Sequence, residues 1–291
     1  ISVNPEFEAE SLQFSFSPRL PRLKSKNLTI YLQNQLSYHY RFNITHLNSY
    51  LKCPLCFFFK TILRLPYPKA KAMSFGTAVH GALAYLTQVY KSQNKLISQE
   101  KFVDVFENNL KRENLSENDF NSLLDHGREI LSGYYQNYRD SFNGRCLTEH
   151  DFKFNNVYLD EIPITGKIDK IEFLSGKQVN VVDYKTGKPD YKYQQLSPEG
   201  DYFRQLVFYK LLCDEAKTFP YKVVSGTIDF IEANKKNQYI RKNYKITSED
   251  TAKLKSQIKE IFAQIKSLNF APSQKCDDPD HLHYLFDRYF K

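Results

Sequence analysis

The spacing of apolar residues changes once along this sequence, and that change constrains the fold more than any other feature. Up to about residue 140 the apolar residues recur at helical spacing, and one helical face carries Val79, Leu83, Leu86 and Tyr90. From His150 onward apolar and polar residues alternate, as they do in half-buried strands. We therefore predict an α/β protein: a helical N-terminal half, then three strands, a helix, a strand and a final helix.

The predicted boundaries follow from this spacing together with turn and capping residues. Helices are expected at residues 45–58, 77–90, 102–110, 117–138, 202–216 and 248–268, and strands at 27–33, 150–158, 162–173, 179–184 and 223–231. Thr45 is the expected N-cap of the first of these helices, and Pro66 and Pro68 end it. Residues 175–177 supply the turn of a hairpin between the second and third strands of the C-terminal half.

The N-terminal stretch lacks a clean pattern and is broken by prolines, so residues 1–42 are predicted to be a leader or linker strap. The first residue is Ile rather than Met, and we expect the chain to be a segment of a longer polypeptide. No signal peptide is evident, and no apolar run approaches the roughly 20 residues that a membrane helix needs. A membrane partner is therefore not expected.

The charge balance favours an anionic partner. The chain has 41 Lys and Arg against 33 Asp and Glu, a net charge of +8, which indicates nucleic acid ahead of a membrane surface. Hydrophobic residues make up 41% of the chain and aromatic residues 15%, so it can bury a core and is not a disordered segment. Its five cysteines are odd in number and widely spread, which is typical of reduced thiols and predicts a cytoplasmic location.

The strongest chemical signal lies on the predicted hairpin. Asp169 and Asp183 fall on its neighbouring strands, and Lys185 follows two residues later, on the same strand face as Asp183. Two acids that point into one cleft repel each other unless a cation lies between them, and carboxylate oxygens suit Mg²⁺ or Mn²⁺. The alternative is a surface hairpin with solvated, alternating charges.

Four short motifs that follow one another along the sequence favour a functional site over a solvated surface hairpin. They are FGTAVH (75–80), GKID (166–169), DYKTGK (183–188) and QLVFY (205–209), preceded by THLNSYLKCP at 45–54. Together they resemble the RecB-like branch of the PD-(D/E)XK nuclease superfamily, over about residues 43–275. The resemblance implies a restriction-endonuclease-like core, a mixed central β-sheet flanked by helices, within a nuclease domain over 43–291. In that domain we expect a helical part at 43–140, a catalytic α/β core at 141–275 and a C-terminal tail at 276–291.

The resemblance also implies roles for individual residues. The implied metal ligands for Mg²⁺ or Mn²⁺ are His80, Asp169, Asp183 and the backbone carbonyl of Tyr184. Lys185 would be the catalytic lysine, and Gln205 and Tyr209, one helical turn apart, would position it and the substrate strand. Glu149 is a possible additional acid outside that ligand set. Alternatively, His80 is a surface residue of its helix, and Gln205 and Tyr209 only pack.

The cysteines depart from the pattern of many relatives. Those relatives carry four cysteines that hold an iron–sulfur cluster, and this sequence does not contain the full set, so no such cluster is expected. Cys53, Cys56 and Cys276 could still bind a metal, with His281 or His283 as a further ligand. The simpler interpretation is that Cys53 and Cys56 are small buried apolar residues.

Basic and aromatic residues surround the second hairpin motif and the loop that follows it. Lys188, Lys192 and Arg204 are the candidate phosphate-binding residues. The interleaved tyrosines at 191, 193 and 202 (Tyr191, Tyr193 and Tyr202) could stack on unpaired bases, or the loop could simply be solvated. A further charged run, Lys235, Lys236, Arg241 and Lys242, is expected to be a solvated hairpin tip.

The leading functional hypothesis is a metal-dependent DNA nuclease that hydrolyses phosphodiester bonds. The resemblance further implies an exonuclease in DNA repair or recombination, acting on single strands or duplex ends. It also implies a helicase partner, in the same polypeptide or in a complex. One alternative is a catalytically silent module that binds DNA or acts as a scaffold for a helicase. Another is a protein-interaction domain without nucleic acid, which would leave the four ordered motifs unexplained.

Overall fold

The computed structural model describes residues 26–38, 40–271, 273 and 276. Its α-helices are α1 (Lys26–Tyr38), α2 (Ile44–Lys52), α3 (Pro54–Phe57), α4 (Lys71–Gln93), α5 (Gln99–Leu110), α6 (Glu117–Tyr138), α7 (Asp201–Glu215) and α8 (Ser248–Lys266). Its strands are β1 (Cys146–Asp151), β2 (Val157–Leu159), β3 (Ile162–Ile164), β4 (Lys167–Phe173), β5 (Gln178–Lys185), β6 (Lys222–Phe230) and β7 (Arg241–Lys245). A π-helix spans Phe58–Ile62, and short 3₁₀ helices span Arg139–Ser141 and Pro189–Tyr191.

A mixed five-stranded sheet organises the molecule. Its strand order is β1-β4-β5-β6-β7, while β2 and β3 form a separate two-stranded sheet. Neighbouring strands of the large sheet are antiparallel except for β5 and β6, which run parallel. Helix α7 connects these two parallel strands, as a crossover connection must. The predicted mixed sheet flanked by helices is confirmed.

Each face of the sheet is covered by its own helical layer. One apolar cluster joins α7 and α8 to the helices and the π-helix of residues 26–62. The other joins α4, α5 and α6 to the sheet through Val182, Tyr184 and Ile231. The N-terminal helices therefore pack on both faces of the sheet, with α1 to α3 on the face of α7 and α8 and with α4 to α6 on the other.

Helix α6 shows how local sequence and packing agree. Ser116 is its N-cap and accepts a hydrogen bond from the N–H of Asp119 at 3.2 Å, so the predicted start of this helix is confirmed. Further along, the ring of Phe106 on α5 lies against Gly127. A Cβ at residue 127 would lie 2.2 Å from this ring, so only glycine allows α5 and α6 to approach this closely.

The N-terminal predictions need correction. Residues 27–33 form part of helix α1 rather than a strand, because Leu32 and Leu36 share one helical face and are buried in the core. The side chain of Asn43, not Thr45, caps α2, since it accepts a hydrogen bond from the N–H of His46 at 2.9 Å. The helix predicted at 45–58 is interrupted at Cys53, because Pro54 disfavours helical geometry in the residue before it.

The strand predictions need correction at three places. The strand predicted at 150–158 is instead the end of β1, a loop and the start of β2, and the one at 162–173 is split into β3 and β4. Strand β7 was not predicted, because its residues carry three charges and no apolar alternation. Arg241 lies in this strand and forms an ion pair with Asp229 at 3.0 Å, so it is not a solvated tip residue.

Candidate active site

Asp169 and Asp183 lie across from each other on β4 and β5. The register pairs Lys170 with Val182, which places the two aspartates directly opposite on antiparallel strands. Both are buried, and Asp183 is only 2% exposed. One oxygen of Asp169, Oδ2, accepts a hydrogen bond from the backbone N–H of Tyr184 at 2.9 Å. The hairpin thus holds two carboxylates close together and away from bulk water.

His80 reaches this pair from helix α4. Its Nδ1 atom lies 3.1 Å from Asp169 Oδ1. Burial alone would lower the pKa of His80, but the hydrogen bond to Asp169 and the charges of both aspartates raise it. Burial likewise raises the pKa of Asp169, but the hydrogen bond and charge of His80 outweigh it, so this pKa lies below its usual range. The protonated imidazole and the carboxylate therefore stabilise each other.

A hydrogen-bond network from α7 surrounds Asp183. Gln205 Nε2 donates to Asp183 Oδ1 at 2.6 Å, and the hydroxyl of Tyr209 donates to the same oxygen at 2.9 Å. Lys185 Nζ donates to Gln205 Oε1 at 2.8 Å and lies 2.6 Å from Asp183 Oδ2. Gln205 and Tyr209 are one turn apart on α7, so a single helix face fixes both the carboxylate and the lysine.

Burial has opposite consequences for the two members of this ion pair. It raises the pKa of Asp183, and the nearby charge of Asp169 adds to that effect against the opposing charge of Lys185. Burial alone would lower the pKa of Lys185, but the negative charge of Asp183 beside it raises this pKa. The lysine is therefore held as a cation beside a carboxylate whose charge is costly in this environment.

Glu149 enters the site through an unusual backbone conformation. The ladder between β1 and β4 pairs Thr148 with Lys170 and His150 with Ile168, and it is interrupted at Glu149. There the backbone takes φ 52°, in the left-handed region that costs a residue with a Cβ of order 1–3 kcal/mol. The Glu149 carboxylate forms an ion pair with Lys167 and belongs to a group with His80 and Asp169.

This group fits a divalent cation. One ligand atom from each of His80, Glu149 and Asp169 lies within 4.8 Å of the others. In addition, Asp183 Oδ2 is buried and accepts no hydrogen bond of normal geometry from the described residues, although Lys185 is in ionic contact with it. Carboxylate oxygens with one imidazole nitrogen are a donor set that Mg²⁺ or Mn²⁺ accepts. Cation binding would displace the proton of His80.

The family model of the PD-(D/E)XK nuclease superfamily matches residues 41–278 of this chain. The chain belongs to the PD-(D/E)XK nuclease superfamily. The restriction-endonuclease-like fold class predicted from the sequence is thereby confirmed. The match leaves the RecB-like branch and the association with a helicase as predictions.

One solved structure shares the overall fold of this chain at low sequence identity. A protein from Eubacterium rectale named "Putative exonuclease" has a TM-score of 0.52 and 13% identity, and the alignment covers 89% of this chain and 92% of that chain. A second solved structure, named SSO0001, has a TM-score of 0.32 at 13% identity and covers 84% and 88% of the two chains. None of the curated protein sequences compared with the chain matches it. No described helix is long and apolar enough to cross a membrane.

The arrangement of this PD-(D/E)XK site differs from the sequence-based prediction in the position of one residue, Glu149. The fold brings His80 to Asp169, and Lys185, Gln205 and Tyr209 to Asp183. Glu149 was expected outside the ligand set, yet it is the residue grouped with His80 and Asp169. Nothing in the local sequence predicts its left-handed backbone, although the strand register opposite Asp169 would have suggested that Glu149 lies near the carboxylates. The ligand and catalytic roles themselves stay predictions.

Of the three candidate phosphate-binding residues, Arg204 lines a groove beside the carboxylates. Arg204 donates to Asn48 Oδ1 at 2.7 Å and to Asp201 Oδ1 at 2.6 Å, which fixes its guanidinium against α2. Together with Gln205 these residues line a groove of about 890 Å³ between α2 and α7. Lys188 forms an ion pair with Glu232 at 3.3 Å, and Lys192 is half-buried. The groove therefore starts at the residue that holds Asp183.

Three cysteines converge away from the carboxylates. The sulfur atoms of Cys53, Cys56 and Cys276 lie within 4.8 Å of one another, and those of Cys56 and Cys276 are 3.3 Å apart. Cys53 and Cys56 are buried in the apolar cluster around α7 and α8. His281 and His283 lie outside the described residues. Metal binding by these thiols stays a prediction.

Proposed function

We propose that this chain is a metal-dependent deoxyribonuclease that hydrolyses phosphodiester bonds at the His80–Asp169–Asp183–Lys185 site. The observation that carries the proposal is a buried carboxylate, Asp183, with an ion-paired lysine on one side and a second carboxylate bonded to His80 on the other. If Asp183 and Lys185 formed only a structural ion pair, a second carboxylate directly opposite Asp183 would be unfavourable, because two like charges at close range repel each other. The membership of the PD-(D/E)XK nuclease superfamily supports the same reading.

The residues divide the work between holding a cation and stabilising charge. His80, Asp169 and Asp183, with Glu149 as a further candidate, would hold Mg²⁺ or Mn²⁺, and the carbonyl of Tyr184 is the proposed backbone ligand. When bound, the ion would polarise a phosphoryl oxygen and lower the pKa of a water molecule. Lys185, fixed by Gln205, offsets the negative charge that develops on the phosphate. Tyr209 keeps Asp183 in place through its hydrogen bond.

DNA is the proposed substrate, bound along the groove between α2 and α7. Arg204 on the groove wall, with Lys188 and Lys192 on the adjoining loop, would contact backbone phosphates. We also propose an exonuclease of the RecB-like branch that works with a helicase in DNA repair, in the cytoplasm. The order of the four motifs and the reduced-thiol composition support this, and one structurally similar protein is named an exonuclease.

The test is cleavage of end-labelled single-stranded and duplex DNA with Mn²⁺, Mg²⁺ or EDTA. Asp183→Asn should abolish cleavage, because it removes the charge that faces the cation while keeping the shape of the side chain. Asp229→Asn, on the neighbouring strand β6, is the matched control and should cleave like wild type. Loss of cleavage in EDTA with DNA affinity retained would support the proposal. DNA binding without cleavage in any metal would instead identify a silent binding module.

A further inference from the structure

Two loops leave the sheet at the catalytic edge. Strand β5 ends at Lys185 and strand β6 ends at Phe230, and the parallel register pairs these two residues. The loops over 186–200 and 231–240 therefore start side by side, next to the residues that carry the proposed chemistry. The carboxyl ends of parallel strands are the usual place for ligand binding in open α/β sheets.

The two loops are fixed to each other. Asp190 Oδ2 accepts a hydrogen bond from the backbone N–H of Lys235 at 3.0 Å. Glu232, at the start of the second loop, forms an ion pair with Lys188 in the first at 3.3 Å. Asn234 accepts hydrogen bonds from the N–H groups of Lys236 and residue 238, which closes the tip of the second loop. The surface they form is thus ordered before any ligand binds.

This surface exposes two aromatic rings among lysines. Tyr191 is 65% exposed and Tyr193 is 75% exposed. Lys235 Nζ lies 4.9 Å from the centroid of the Tyr191 ring, within the range of a cation–π contact. Lys192 stands between the two tyrosines in the sequence, and Lys236 follows Lys235. Aromatic rings beside cations are the combination that binds single-stranded nucleic acid, because every base has a face that can stack.

We propose that Tyr191, Tyr193 and Lys235 form a binding site for the unpaired bases of a DNA strand. The proposal rests on the proposed nuclease function and adds a subsite outside the catalytic carboxylates. The rings would stack on bases, and Lys235 would contact the adjoining phosphate. A paired duplex offers its base faces only at its ends, so the site favours strands or overhangs with unpaired bases. Lys235 is exposed, as expected for a residue at a solvated hairpin tip, and its ammonium group also lies over the Tyr191 ring.

The test measures equilibrium binding of fluorescein-labelled oligothymidine by anisotropy in EDTA, where cleavage does not interfere. The probes are oligothymidine, an abasic strand of the same length, and a blunt duplex. The double variant Tyr191→Ala/Tyr193→Ala should bind oligothymidine roughly 5- to 100-fold more weakly than wild type. Its affinity for the abasic strand and for the duplex should be unchanged, because phosphate contacts remain.

The matched control is Phe154→Ala. Phe154 is 84% exposed and Lys153 Nζ lies 5.5 Å from its ring centroid, but it belongs to the loop after β1 at the edge of the sheet. This variant should bind oligothymidine within about twofold of wild type. Lys235→Ala should reduce the slope of log affinity against log salt by about 0.7. The tyrosine variants should leave that slope unchanged.

The outcomes separate this site from the proposed function. Tyrosine variants that bind oligothymidine like wild type, or that lose abasic binding to the same extent, would overturn the stacking site and leave the nuclease proposal intact. Wild type that binds none of the three probes would overturn the proposed DNA substrate, and the stacking site with it.

Discussion

Two clusters of charged residues, each built around buried aspartates, occupy opposite faces of the same sheet. The first, which carries the proposed chemistry and which we term the catalytic cluster, is His80, Asp169, Asp183 and Lys185. The second, which we term the arginine cluster, is Lys170, Glu172, Asp229 and Arg241. In the arginine cluster Arg241 Nε contacts Asp229 at 3.0 Å and its NH2 group contacts Glu172 at 2.9 Å. Lys170 adds a contact to Glu172 at 3.0 Å. Each acid there faces a permanently charged cation.

The catalytic cluster is built differently. Its two acids face each other, and one of its two cations is a histidine, whose charge depends on pH. Each cluster contains a buried aspartate with one oxygen that accepts no hydrogen bond from the described residues, on Asp183 and on Asp229. Burial of a carboxylate therefore does not identify an active site. Both clusters contain two acids, but only in the catalytic cluster do the acids lie directly opposite each other with a titratable histidine as partner, and this arrangement creates a site that a divalent cation completes.

The largest expected difference between the clusters is in turnover. Lys185→Met removes the ammonium beside Asp183, and cleavage should fall roughly 100- to 1,000-fold, as for loss of one charge-stabilising donor. Lys170→Met removes a buried lysine of the arginine cluster and should leave cleavage within about threefold. The measurement is single-turnover cleavage of labelled DNA at fixed Mn²⁺ and salt. Equal losses for both variants would remove the distinction between the clusters.

A second difference concerns stability against pH. Burial raises the pKa of Asp229 to about 6 despite the charge of Arg241, whereas the ordinary value is 3.8. Between about pH 4 and 6 the folded state then binds more protons than the unfolded state, so the free energy of unfolding falls as pH rises. The fall should total roughly 2–3 kcal/mol.

Urea unfolding at several pH values measures this effect. Asp229→Asn should reduce the slope between pH 4 and 6, although the raised pKa of Asp183 leaves a residual slope of the same sign, and Asp125→Asn, an exposed carboxylate on α6, is the control that should keep the full slope. An undiminished slope in Asp229→Asn would mean that Asp229 does not titrate in this window.

The smallest expected difference is in metal-linked stability. Mn²⁺ at tenfold its dissociation constant should raise the free energy of unfolding of wild type by about 1.4 kcal/mol. Glu149→Gln should reduce this gain, because the variant lacks one carboxylate of the group around His80. Glu172→Gln, in the arginine cluster, should keep it. The measurement is thermal unfolding of both variants with Mn²⁺ and with EDTA. If Mn²⁺ stabilises Glu149→Gln as much as it stabilises wild type, Glu149 is not a ligand.

The parts of the fold that the sequence predicted well have local causes. Helix α6 has a capping serine and acidic residues in its first turn, so its boundaries at 117 and 138 could be predicted from neighbouring residues alone. Strand β7 could not be predicted in this way, because its charged residues are stabilised by partners far away in sequence. Helix α1 was mistaken for a strand because its leucines, an isoleucine and a tyrosine are common in strands as well.

The candidate site shows the same division. The register of the hairpin places Asp169 opposite Asp183, and alternation places Lys185 on the same face, so both relations follow from the sequence once the hairpin is recognised. The contact between His80 and Asp169 required the packing of α4 against the sheet, which no local pattern encodes. His80 was predicted to belong to the site only because its motif resembles one of the family. Neither local sequence patterns nor the resemblance to the family predicted the backbone conformation of Glu149.

That conformation has a consequence for laboratory evolution. A selection for heat resistance alone rewards any change that relieves backbone strain, and glycine is the residue best suited to φ 52°. Glu149→Gly should therefore be enriched early in such a selection. The enriched protein would tolerate more heat while its cation site lost a carboxylate. Selection for thermal stability without selection for cleavage would thus act against this carboxylate.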